Sequence, residues 1–173
     1  LKIKKDIMKI GTVLLLLVLA PSMILAQGKK ERDRLAYQQT KKLVESQNFI
    51  FEANRALPIS GSSVSLITND NFLLFKQGEV HAYLPYFGEG RVSAAYGGEG
   101  AIAFKGAPMD YQVRYNDNKN KITIRFDAMG KSEKHGVILD INAHGFTDLI
   151  IKSMNRTTIS YYGKIKAYEG GRF

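Results

Sequence analysis

The chain has 173 residues and a formal charge of +9, and it is 45% hydrophobic, 24% charged and 10% aromatic. Those proportions describe one globular domain and exclude collagen-like and highly charged disordered classes. The lack of cysteine excludes a disulfide scaffold, a thiolate zinc site, a cysteine nucleophile and a lipidated cysteine anchor.

Residues 1–26 read as a secretory signal peptide. Lys2, Lys4, Lys5 and Lys9 make a basic start, and Ile10 to Ala20 is apolar apart from Gly11 and Thr12. Pro21 and Ser22 break that run, and Met23-Ile24-Leu25-Ala26 leads into polar Gln27, an order that predicts a cut after Ala26. A membrane anchor would want about 20 apolar residues. Pro21 interrupts the run before that length, so the mature chain is expected not to be an integral membrane protein. The cut would remove four of the 25 basic residues and one of the 16 acidic ones, leaving +6 on 147 residues. An exported chain without cysteine needs no oxidising compartment, which points to a periplasm, a cell surface or secretion.

Residues 27–47 form the next unit, with Lys29 to Gln47 patterned as a helix. Ala36, Thr40, Leu43, Val44 and Gln47 share a face, with Leu35 beside it. So thin an apolar stripe is marginal alone and is expected to pack on something larger. Glu31, Asp33 and Glu45 are interspersed among its cations, so the opposite face reads as solvated rather than as a nucleic-acid or lipid contact.

From Asn48 the hydrophobic period becomes two, and residues 48–173 read as a single antiparallel β domain. Phe49, Phe51, Ala53 and Arg55 share one side of a first strand that Leu57-Pro58 ends. Strands follow at Val64–Thr68, Phe72–Lys76, Glu79–Leu84, Gly100–Lys105, Met109–Asn116, Lys121–Asp127, Val137–Asn142, Phe146–Ser153 and Thr157–Tyr168. The clearest hairpin joins Tyr111, Val113 and Tyr115 to Ile122, Ile124 and Phe126 across Asp117-Asn118-Lys119-Asn120, with Gln112, Arg114, Thr123 and Arg125 outward. Gly163, in mid-strand, signals a bend or a close backbone approach. The expected fold is mainly β: an antiparallel meander forming a small, lipocalin-like barrel or strongly curled sheet, with one N-terminal helix.

Reactive groups are sparse. His81, His135 and His144 are isolated and lack metal-ligand spacing. Asp140-Ile141-Asn142-Ala143-His144-Gly145 opens like a calcium loop, but the twelfth position is Ile151 instead of a bidentate Glu, so a hairpin turn is expected. Gly-x-Ser-x-Gly and Walker patterns are absent, and no cofactor is implied. Export, scattered cations and the lack of an RNA-recognition signature argue against nucleic acid as a partner. Arg55 and Arg156 each follow an Asn, where they could organise carboxylates or main-chain carbonyls.

The segment Pro85 to Gly100 is rich in glycine and carries Tyr86, Phe87 and Tyr96. It reads either as a lid over a barrel mouth or as a long connection whose aromatics cap the core. As a lid it would rim the mouth with Tyr83, Tyr86, Phe87, Arg91 and Tyr96. Arg55, on the Phe49 side of its strand, would add a ligand contact.

Four stretches carry a resemblance: Phe51 to Pro58 (FEANRALP), Tyr83 to Gly88 (YLPYFG), Gly97 to Phe104 (GGEGAIAF), and Asn155-Arg156 with Ile159 to Ile165 (ISYYGKI). In this order they resemble a family of small exported proteins, typical of gut-type Gram-negative bacteria, that is known as a domain of unknown function. The chain departs from the family pattern at Phe146-Thr147, where Tyr-Ala is expected. The resemblance implies an exported antiparallel β domain behind a short helix and implies no activity. The reading that follows is a non-enzymatic periplasmic or envelope binding protein for a small apolar or amphipathic ligand or a peptide. The alternatives are an envelope interaction protein with a filled core and an envelope partner, and a hydrolase.

Overall fold

The computed structural model describes residues 28–67, 71–87 and 100–171. The signal segment 1–26, and Arg91 and Tyr96 of the rim, lie outside them. One helix, α1 (residues 28–45), precedes ten strands: β1 (Asn48–Pro58), β2 (Val64–Ser65), β3 (Phe72–Lys76), β4 (Glu79–Pro85), β5 (Ala101–Gly106), β6 (Met109–Asn116), β7 (Lys121–Met129), β8 (Lys134–Ile141), β9 (Phe146–Ser153) and β10 (Ile159–Ala167).

All pairings are antiparallel, in the order β5-β4-β3-β1-β10-β9-β8-β7-β6, with β2 against the end of β1. Two meanders are thus joined through β1 and β10, and the sheet curls into a half-barrel. Its two outer strands, β5 and β6, are separated in sequence only by Ala107 and Pro108. That short link forces the edges together, and Phe104 of β5 bridges to Gly130 just past β7.

The inward faces fill the interior. Phe49 stacks on Phe75 at 4.4 Å between ring centroids, and Phe75 meets Phe126 edge-on at 5.5 Å. Phe51, Leu139, Leu149 and Tyr161 are wholly buried in the same cluster. Alternation of such residues with polar ones is what a sheet with one solvated face requires.

Arg55 and Tyr83, both expected at the mouth, lie on the outer face instead. A bulge after Ala53 shifts the register, so that Ala53 faces Gly163 but Arg55 faces Tyr162. One extra residue reverses the alternation, and Arg55 is exposed on the outer face while Ala56 is buried.

Helix α1 covers the base of the half-barrel. Tyr37, Thr40 and Val44 are its buried residues, whereas Leu35 is 53% exposed and Gln47 is exposed. The expected stripe holds at Thr40, Leu43 and Val44, and Tyr37 joins it. Polar contacts dock this face: the Tyr37 hydroxyl donates to Asp117 at 2.6 Å, and Thr40 donates to the Ala143 carbonyl at 2.8 Å. Both acceptors lie in hairpin turns at the base. In one of them, Asn142 Oδ1 accepts the His144 and Phe146 N–H groups, so the calcium-like stretch is a hairpin turn.

Candidate functional site

The rim of the half-barrel lies where β4 and β9 end and β5 and β10 begin. Past β4, Tyr86 and Phe87 turn inward and are half-buried against the core. The Tyr86 N–H donates to the Gly100 carbonyl at 2.7 Å, tying the end of β4 to the start of β5. Its hydroxyl lies 2.8 Å from Thr157 Oγ1, and the Arg156 guanidinium sits over its ring at 5.1 Å.

Arg156 is the hub. Its Nε donates to Glu133 Oε1 at 2.7 Å and its Nη1 to the Ala101 carbonyl at 3.3 Å, while Glu133 Oε2 accepts the Asn155 N–H at 3.1 Å. The Glu133 side chain is 5% exposed and that of Arg156 22%. Such a desolvated pair holds because each carboxylate oxygen has a donor. The Tyr161 hydroxyl donates to the Pro85 carbonyl at 2.8 Å, and burial raises its pKa, with Tyr86 adding to the effect.

Beneath this bracket, His135 Nδ1 lies 2.7 Å from Ser153 Oγ. The ring leans on Phe104 at 5.7 Å, and a β-carbon on Gly130 would stand 2.7 Å from Nε2. Burial pushes the His135 pKa down, with Glu133 opposing and Arg156 adding. The spacing is that of a nucleophile and a base. The second ring nitrogen faces the Gly130 backbone, however, and the Glu133 oxygens are already engaged by Arg156 and Asn155. Among the described residues no group of His, Asp and Glu gathers as a metal site, and no buried side-chain polar atom lacks a partner.

Of the residues expected at the mouth, Tyr86 and Phe87 come together at the rim. Tyr83 is 49% exposed on the outer face of β4, between Phe72 and Ala103. Arg55 is outside as well. Arg156 holds both a carboxylate and a main-chain carbonyl, as its position between strands suggested. Glu133, His135 and Ser153 were missed because β8 begins at Lys134, earlier than expected. Their signal is the spacing of two that joins Glu133 and His135 to inward Val137 and Leu139.

A family model described as a domain of unknown function (DUF4251) matches residues 31–165, which include all four stretches that carry the resemblance. The chain is also similar to the crystal structure of a DUF4251 family protein from Bacteroides eggerthii. The two are 20% identical, with a TM-score of 0.61 over 79% of this chain and 91% of that one. At that identity the likeness bears on the fold alone. No curated protein matches the chain.

Proposed function

The chain belongs to the DUF4251 family, a domain of unknown function, and on that premise we propose an exported, non-enzymatic interaction protein of the cell envelope that engages its partner on its outer surface. The observation that carries this reading is the filled interior. The inward side chains pack into one buried cluster, and beside them a partly open slot of about 170 Å³ is lined by Phe75, Val80 and Tyr111 together with Gln47, Lys76 and Glu79. Pockets that enclose small molecules run to about 300–1,000 Å³. A larger concavity of about 510 Å³ lies on the outer face at Gln112, Arg114, Thr123 and Arg125.

The rim supports the same reading. Glu133 and Arg156 satisfy each other and brace strand ends, and Ser153 and His135 pack beneath them. These groups act in the architecture, which leaves binding as the work of the surface.

A titration with a naphthylamine dye that fluoresces in apolar cavities tests the proposal. No saturable one-to-one uptake is expected. Saturable uptake reversed by a fatty acid would move the ligand inside and overturn it. Export is tested separately: expression with residues 1–26 intact should deliver a periplasmic chain that begins at Gln27. Full-length chain retained in the cytoplasm would refute that part.

A further inference from the structure

Strand β6 pairs only with β7, and among the described residues no strand pairs with its other edge. Its inward residues Tyr111, Val113 and Tyr115 are half-buried, whereas Ile122, Ile124 and Phe126 of β7 are buried. An absent neighbour has this effect on an edge strand. Beside the Ala107–Pro108 link the wall is interrupted by the slot of about 170 Å³. That is comparable with the cavity of about 150 Å³ that takes up a benzene molecule.

The outer face of the same hairpin is cationic. Arg125 stands opposite Gln112, and Arg114 opposite Thr123, around the concavity of about 510 Å³. Thr123 donates to Asp140 at 2.7 Å. Neither Arg114 nor Arg125 is paired with a carboxylate among the described residues, while Lys134 and Lys166 on the same face hold Asp127 and Glu52.

We propose that the free edge of β6 takes an extended acidic segment of a partner protein as an added strand. Main-chain hydrogen bonds would supply the pairing, and alternate side chains would read the two faces. Outward carboxylates meet Arg114 and Arg125. Inward apolar side chains cover Val113, beside the Tyr115 ring that Lys41 of α1 already overlies at 4.8 Å, and one enters the slot beside Tyr111. A second copy of this chain fits less well. Antiparallel pairing of two β6 edges would bring the two copies' Arg114 side chains onto one face of the new pair, and like charges across a strand pair destabilise it. The site rests on the surface-binding reading above.

The probe is an eight-residue peptide of alternating valine and glutamate, as long as β6, beside a counterpart with lysine for glutamate. The glutamate peptide is expected to bind, to slow amide exchange in β6, and to bind more weakly as salt is raised. Arg114→Glu with Arg125→Glu should weaken binding about tenfold or more and leave the melting midpoint near that of the parent. Should that variant fail to fold, Arg114→Gln with Arg125→Gln makes the same comparison. Equal binding of the lysine peptide, unchanged binding by the variant, or unprotected β6 amides would each overturn the proposal. So would concentration-dependent pairing of copies through β6. Failure of the glutamate peptide to bind refutes the edge site alone, whereas dye uptake is what refutes the surface-binding reading.

Discussion

At Gly163 the first and last strands leave no room for a side chain. A β-carbon there would run into the Glu52 carbonyl oxygen and stand 2.8 Å from Phe51 Cε2. The Gly163→Ala variant must push β1 and β10 apart beside the bulge. We expect a loss of about 1–3 kcal/mol in urea unfolding, and an unchanged midpoint would show that the seam has slack. The close approach was legible as a glycine inside an otherwise regular strand. The bulge was not, because Asn54-Arg55 looks like uninterrupted alternation until β10 fixes the register. His135 gives a pH test. Burial lowers its pKa from 6.5, so the unfolded chain takes up its proton at a higher pH than the folded one. Stability is therefore expected to fall as pH drops below about 6.5 and to level off once the folded pKa is passed. His81 is lowered by burial, then Lys105, and acts in the same sense. His135→Gln should flatten the profile between pH 7 and 5.5, and an unchanged slope would assign it to other groups.

Helix α1 shows how far periodicity goes and where it stops. Its span and its docking on a larger body were legible, and Thr40 and Val44 are buried as expected. The place of Tyr37 on that face was not legible, because its hydroxyl reaches Asp117 in the β6–β7 turn, 80 residues away. No local pattern encodes that partner. The contact lowers the Asp117 pKa, with Lys41 assisting, and it joins burial in raising that of Tyr37. Removing the hydroxyl with Tyr37→Phe keeps the packing and deletes one charge-assisted hydrogen bond. The expected loss is about 1.5 kcal/mol, read from chemical unfolding. A neutral result would mean that water replaces the contact fully. Strand lengths were legible to within a few residues, except β2. It pairs only through Val64 and Ser65, because β3 occupies the remainder of that side of β1.

For the whole molecule, mainly β class, curl and one helix followed from alternation and turn residues. The break between β5 and β6 did not. Both segments read as ordinary meander strands, and nothing in Ala107-Pro108 says that the chain passes from one edge of the sheet to the other. This link holds the half-barrel shut beside the Phe104–Gly130 bridge. Inserting two glycines between Ala107 and Pro108 should let the edges separate. Amide exchange is then expected to quicken in β5 and β6 but not in β8 to β10. Uniform acceleration would mean that closure does not depend on the link. The rim was half legible: its aromatics and Arg156 stood out, but Glu133 precedes β8, and its place in the buried alternation with His135, Val137 and Leu139 shows only once that strand is seen to begin at Lys134.

The seam between β1 and β10 also fixes an order of events. Phe49 lies against Ala167 and Pro58 against Ile159, so the middle of the sheet is built from the two ends of the domain. A polypeptide emerging from the ribosome amino-terminus first holds β1 while β2 to β9 are made, before β10 arrives. Contacts so distant along the chain form late. Until β10 is released, the seam that joins the two meanders stays open.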